Sequence, residues 1–361
     1  MKTGIHMKAS LAIPIVLSLV VAALPACATA PALNYEIVRD LKATMFDIAW
    51  NPDGTFALAC GQDGKLYKYA NGGITEIPSG VAVDLNGVDW KPDGSEALIV
   101  GAEQTVLRYK GDSVTTIKSN GDVTRPYKAV RWNPSGTEAL LVGGSMSYGL
   151  VATYDGSTIK DISIWGTHGI NDLRWSPDRS YCLMVSDDNE VYKYTGTGYT
   201  TLTGANGRLF GISWNGADQS AMIVGLGGKA YRYDGTNFSA ISTNTTEDLF
   251  SCTWSQNGTF ALITGGTGGI YSYDGTTFKK DYQEQGTPNV YSVGWHPSGD
   301  YAIIVGSGPV IKSFAGTPSP PKKDGGKKSG YEDIVPIAGI AFLLAIVMKM
   351  RTERNRRPDG K

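Results

Sequence analysis

Between residue 34 and residue 316 the apolar positions follow one short phrase, repeated. A stretch that alternates apolar with polar residues, such as Phe46-Asp47-Ile48-Ala49-Trp50, ends on tryptophan. Alternation with period two marks a strand with one buried face. A polar turn follows, for example Asn51-Pro52-Asp53-Gly54, where proline presets φ and glycine accepts a positive φ. Next comes a nearly unbroken apolar run, such as Ala97-Leu98-Ile99-Val100, the pattern of a strand buried on both faces. A glycine-rich turn leads to a third strand of the type Tyr231-Arg232-Tyr233. Asp234-Gly235 then makes a hairpin to a fourth, Phe238 to Ile241.

The phrase occurs seven times. Its tryptophans are Trp50, Trp90, Trp132, Trp175, Trp214, Trp254 and Trp295, spaced 39 to 43 residues apart. Such a period with strand-like content predicts the blades of a β-propeller. Eleven residues beyond each tryptophan stands Gly61, Gly101, Gly143, Ser186, Gly225, Gly265 or Gly306. Nineteen beyond stands Tyr69, Tyr109, Tyr194, Tyr233, Tyr273 or Phe314; in the third repeat Tyr154 comes three residues late. The seventh repeat stops after its third strand. Tyr35-Glu36-Ile37-Val38 carries the fourth-strand pattern, so the N-terminal strand is expected to complete the last blade and remove an open edge. The fold class is therefore all-β: a seven-bladed propeller of four-stranded blades.

Composition changes this picture only at the ends. Charged residues make up 19% and the net charge is −1, which gives no electrostatic reason to expect nucleic acid. Lys2 and Lys8, an apolar run from Leu11 to Ala23 and the small residues Ala26, Ala28 and Ala30 have the layout of a secretory signal over residues 1–30. Leu24-Pro25-Ala26-Cys27 also resembles a lipoprotein box. The propeller is expected over residues 31–316, and a Pro/Gly/Lys-rich stalk over 317–333. Residues 334–350 read as a transmembrane helix near the lower length limit, and 351–361 as a basic cytoplasmic tail. A processed sorting signal is the other reading of the last segment. These features place the propeller outside the cell on a single-pass anchor.

The run Trp-x-Pro-Asp-Gly, the apolar strand, its glycine and the aromatic strand ending in aspartate resemble WD-repeat propellers and their prokaryotic relatives. The resemblance covers residues 34 to 316. The Gly-His dipeptide is missing and Tyr-Asp, as in Tyr154-Asp155, replaces Trp-Asp. The Asp-His-Ser/Thr network of eukaryotic members is therefore not implied. What the resemblance implies is binding of proteins or glycans rather than catalysis.

The chemistry-bearing residues agree with that expectation. Cys60, Cys182 and Cys252 each replace a core apolar residue, in blades 1, 4 and 6, so they are expected as buried free thiols too far apart to pair. His296 occupies a turn position and is expected to be solvated. No histidines pair at metal-ligand spacing, no nucleophile elbow or phosphate loop occurs, and no cofactor is implied. The Asp-Gly pairs have a sufficient cause in turn geometry. Sequons at Asn237, Asn244 and Asn257 permit glycosylation without implying it.

Three irregularities in the ring are expected to meet on the face built by the loops before each first strand. These are the blade 3 insertion with Met146 and Tyr148, the off-register Trp165 beside His168, and Arg125, Tyr127 and Lys128 before blade 3. Packing of Trp165 on Tyr148 to stiffen the loops is an equal alternative. A second feature lies four residues before each tryptophan: Phe46, Asn86, Lys128, Asn171, Phe210, Phe250 and Tyr291, at the expected channel mouth. Asp89, Arg131, Asp172 and Arg174 suggest interblade ion pairs. The leading expectation is a non-enzymatic surface protein that binds a protein or envelope glycan. A glycosidase or lyase using Asp47, Asp89 and Asp172 is the alternative, and a purely structural envelope component a third.

Overall fold

The computed structural model describes residues 31–118, 125–145, 147–163, 167–286 and 289–315. The expected signal, stalk, transmembrane helix and tail lie outside these residues. Among the described residues no helix is long and apolar enough to cross a membrane.

The described residues form seven antiparallel sheets of four strands each. Blade 1 consists of Met45–Trp50, Ala57–Gly61, Leu66–Ala70 and Gly73–Glu76. Blades 2 to 6 repeat this sequential order. In blade 7, Val290–Trp295, Tyr301–Gly306 and Val310–Ala315 are completed by Leu33–Arg39 from the other end of the domain. Tyr35 faces Ser313 and Ile37 faces Ile311 across this closing pair. First strands of successive blades lie against one another all the way round, the seventh returning to the first.

The second strands carry the core. Ala97–Gly101 is buried along its whole length, as are Ala57–Gly61, Cys182–Ser186 and Ala261–Gly265. Each packs one face on the preceding blade and the other on the following blade, as Ile99 does on Leu58 and Leu98 on Val130, which is why its sequence does not alternate. Fully burying one such Leu, Ile or Val is worth about 1.5–3 kcal/mol. The recurrent glycine eleven residues past each tryptophan has a steric cause. A Cβ on Gly61 would lie 2.1 Å from the Thr44 carbonyl oxygen, and one on Gly143 2.0 Å from that of Pro126. At these two glycines the chain entering the blade passes too close for a side chain.

The tryptophans tie blade to blade. Trp50 Nε1 donates to the Gly294 carbonyl at 3.1 Å and Trp90 Nε1 to that of Ala49 at 3.2 Å, each in the preceding blade. A ring six residues past the preceding blade's tryptophan packs edge-on to the indole. Phe56 meets Trp90 at 5.2 Å, Tyr181 meets Trp214 at 5.8 Å and Phe260 meets Trp295 at 5.5 Å. The third-strand tyrosines secure the turns after them. Tyr154, Tyr233 and Tyr273 donate to the carbonyls of Gly156, Gly235 and Gly275 at 2.7–2.8 Å. Asp155, Asp234 and Asp274 accept backbone N–H groups within the same turns. Turn formation accounts for these aspartates.

Cys60, Cys182 and Cys252 are free and buried, as expected. Two expectations need correction. His296 begins its turn, as expected, but is half-buried rather than solvated. Its ring stacks on Tyr301 at 4.7 Å, meets Trp50 edge-on at 4.6 Å, and donates from Nε2 to the Gly54 carbonyl at 2.9 Å. It pins blade 7 to blade 1. Phe314 does not hold the tyrosine position of blade 7. The turn before that strand is one residue shorter than in blade 1, so Ser313 pairs with Ala302 where Tyr69 pairs with Ala57.

Candidate binding face

In every blade the first strand carries a β-bulge four residues before the tryptophan, at Phe46, Asn86, Lys128, Asn171, Phe210, Phe250 and Tyr291. Residues on either side pair regularly, with Met45 and Ile48 turned into the core. The bulged residue is left over, and all seven line one cavity at the channel mouth. Bulges serve this re-aiming of side chains at binding sites.

The mouth is divided by chemistry. On the side of blades 5, 6, 7 and 1, Phe210, Phe250, Tyr291 and Phe46 form a continuous arc. Their ring centroids lie 5.7, 5.1 and 5.5 Å apart in that order. On the side of blades 2 to 4 the groups are polar. Asn86 Nδ2 donates to the Tyr127 carbonyl at 2.8 Å. Lys128 Nζ reaches Asn171 Oδ1 at 2.7 Å and Asp187 Oδ2 at 3.0 Å. Asn171 Nδ2 and Arg208 Nη2 donate to Asp187 Oδ1 at 2.9 and 3.1 Å. Burial alone would raise the Asp187 pKa; Asn171, Lys128 and Arg208 outweigh it and hold the carboxyl below its ordinary value.

Deeper in the channel lie five charged groups. Arg131 sits between Asp172, at 3.3 Å, and Asp47, at 3.6 Å, and Arg174 meets Asp172 at 2.7 Å. Asp47 also accepts from Ser292 Oγ at 2.7 Å and from the Val88 N–H at 3.1 Å. The bonds of Arg131 and Asp47 join different blades, as the balanced charges suggest, whereas Arg174 and Asp172 pair within the first strand of blade 4. Asp89 differs. Its Oδ2 accepts the Trp132 N–H at 2.8 Å, and burial pushes its pKa up to about 6 against the pull of Arg131 and that N–H. It opens on a cavity of about 360 Å3 on the tryptophan side of the channel.

Parts of the expected irregularities fall within the described residues. The insertion lengthens blade 3 into a hairpin, Ala139–Ser145 against Tyr148–Tyr154, with Ser145 facing Tyr148 at its end. The Arg125 guanidinium lies over the Tyr148 ring at 5.1 Å. The Gly149 N–H donates to the Thr167 carbonyl at 2.9 Å, which joins the hairpin to the loop before blade 4. In that loop His168 Nε2 lies 3.2 Å from Asp188 and Nδ1 3.6 Å from Glu190. Tyr127 is different: at 1% exposure it packs with Leu98, Val130 and Trp132 and offers no surface. Met146 and Trp165 lie outside the described residues. Asp187 and Arg208 were not singled out from the sequence. The one signal was Ser186, the sole departure from glycine at its repeat position. Among the described residues no group of three or more His, Cys, Asp or Glu side chains is placed to hold a metal ion.

No curated protein matches the chain. Residues 36–69 and 159–194 match the WD40 family model, described as WD domain, G-beta repeat. Each segment begins in the fourth strand of one blade, continues through the first two strands of the next and ends on its third-strand tyrosine, Tyr69 or Tyr194. With two matched repeats and seven four-stranded blades closed by the N-terminal strand, the protein is a WD-repeat-like β-propeller.

Proposed function

We propose that the protein is a non-enzymatic binding scaffold that takes a protein or envelope-glycan partner on the face carrying the bulged residues. Interaction scaffolding is the general role of WD-repeat propellers. The observation that carries the reading here is the meeting of the blade 3 hairpin with the loop before blade 4. It stands beside a mouth that is aromatic on one side and charged on the other. Arg125 over Tyr148, with His168 nearby, supplies the residue types that dominate interaction hot spots. An apolar residue of the partner would lie on the Phe210–Phe250–Tyr291–Phe46 arc, and polar groups would meet Lys128 and Arg208. Met146 and Trp165 belong to the same proposed surface by their place in the sequence. The secretory layout of residues 1–30 and the apolar run with its basic flank at 334–361 support display outside the cell on a single-pass anchor. The test is cross-linking on intact cells followed by capture of the full-length chain. A partner linked through residues 125–128 or 145–168 supports the reading; one linked only through the opposite face overturns it.

One observation favours the alternative of a glycosidase or lyase: the raised pKa of Asp89 beside an open cavity. Asp47 and Asp172, its nearest candidates for a second acid, are held by Arg131, Ser292 and backbone N–H groups. Glycan cleavage that disappears in Asp89→Asn would establish the alternative.

A further inference from the structure

The position six residues past each tryptophan, just before the buried second strand, holds Phe56, Glu96, Glu138, Tyr181, Ser220, Phe260 and Tyr301. The four aromatic side chains all pack edge-on against the tryptophan of the following blade. Three also lie under a lysine of their own blade: Phe56 under Lys68 at 4.2 Å, Tyr181 under Lys193 at 3.9 Å and Tyr301 under Lys312 at 4.6 Å. In blades 1, 4 and 7 the slot thus shares one plan: an indole wall, a cationic roof and a ring between them.

Blade 5 has the wall and the roof without the ring. Trp254 is the wall, and Arg232 stands in the roof position, since it pairs with Met222 as Lys68 pairs with Leu58. The ring position is Ser220, whose hydroxyl is turned to Asp218 at 2.7 Å. The turn differs as well. The positive φ moves to Gln219, and Ser220 joins the sheet opposite Asn215. The result is a cavity of about 450 Å3 lined by Trp254, Tyr273, Met222 and Ile241, with the Asp218–Arg232 pair at its rim. The equivalent cleft between blades 1 and 2, with Phe56 in place, measures about 210 Å3.

We propose that the cleft between blades 5 and 6 is a recognition slot for a phenylalanine or tyrosine side chain of a partner polypeptide. The ring sits edge-on to Trp254 and beneath Arg232, as the chain's own rings sit in blades 1, 4 and 7. The slot opens among the turns that follow the tryptophans, the end of the blades opposite the bulged residues, so it is independent of the contact proposed above. A polypeptide is the occupant because the internal template is itself a side chain delivered by extended backbone, and because Asn215, Asp218 and Thr259 offer polar groups at the rim.

The test uses the full-length chain and three probes: capped Gly-Tyr-Gly, capped Gly-Leu-Gly and free phenol. Gly-Tyr-Gly should bind with a Kd of about 1 mM or tighter and at least about fivefold better than Gly-Leu-Gly. Ser220→Phe should abolish that binding and raise Tm by about 2–4 °C, because it restores the missing ring. Arg232→Gln should weaken binding about threefold or more while melting as wild type, since an exposed ion pair adds little stability. Equal binding of the leucine probe, unchanged binding in Ser220→Phe, or a Tm lowered by that substitution would each overturn the proposal. Phenol binding as tightly as Gly-Tyr-Gly would overturn the assignment to a polypeptide.

Discussion

Asp89 is the residue whose environment is most at odds with its charge. Its folded pKa of about 6 lies above the ordinary aspartate value of about 3.9. Between those pH values the folded protein binds more protons at this site than the unfolded chain does. Stability from this group is therefore present at low pH and declines as pH rises through about 4 to 6, by up to about 3 kcal/mol. Asp89→Asn keeps an acceptor for the Trp132 N–H and removes the titration. The variant should melt above wild type at pH 7.5, and the gap should close towards pH 4. A gap independent of pH would show that Asp89 is not buried at a cost. The cysteines give a second residue-scale expectation. Burial raises the thiol pKa of Cys60, Cys182 and Cys252, so native protein should react slowly with thiol reagents and denatured, non-reduced protein quickly at all three. A disulfide between any two would refute the repeat register. His296 shows the limit of reading single residues. A turn position looks solvated until the neighbouring blade brings Trp50, Gly54 and Tyr301 around it.

At the scale of elements the sequence was nearly sufficient. Alternation before each tryptophan, the apolar second strand and the Asp-Gly hairpins located all four strands, because each signal has a local physical cause. The closing strand was legible for the same reason: Tyr35 occupies the place opposite Ser313 that Phe238 occupies opposite Tyr233. Its removal is a direct test. Deleting residues 31–40 leaves Val310–Ala315 as an open edge and strips Val38 and Tyr35 from the hydrophobic clusters on either side of blade 7. Cooperative melting of the ring should be lost. A chain beginning at Leu41 that melts as wild type would contradict the closure. The bulges were not legible, since an extra residue in a strand leaves the period-two pattern on both sides intact. The off-by-one in blade 7 has a similar origin. Phe314 looked correct by distance from Trp295, but a shorter turn put Ser313 in the slot.

At the scale of the molecule, the ring follows from repetition and the candidate site from departures from it. The blade 3 insertion and the loop before blade 4 announced themselves by breaking step; among the described residues Arg125 lies over Tyr148 and Gly149 bonds Thr167. The Lys128–Asn171–Asp187–Arg208 network did not, because it joins residues far apart in sequence that only the packing of neighbouring blades 3, 4 and 5 brings together. The slot of blade 5 was not legible either, because Ser220 alone does not show that Trp254 and Arg232 stand around it. The proposed address gives a separate expectation. Protease added to intact cells should cut around Lys322 to Lys328 and release the propeller, while the tail at 351–361 stays protected. Loss of the tail from intact cells would reverse the orientation. The central claim, partner binding on the face of the bulged residues, is tested most directly by the affinity of variants for a captured partner. Arg125→Ala and Phe250→Ala are expected to weaken binding about tenfold or more, equivalent to about 1.4 kcal/mol, while Lys110→Ala, an exposed change at the other end of a blade, binds as wild type. Wild-type affinity in both Arg125→Ala and Phe250→Ala, with unchanged melting, would contradict the account.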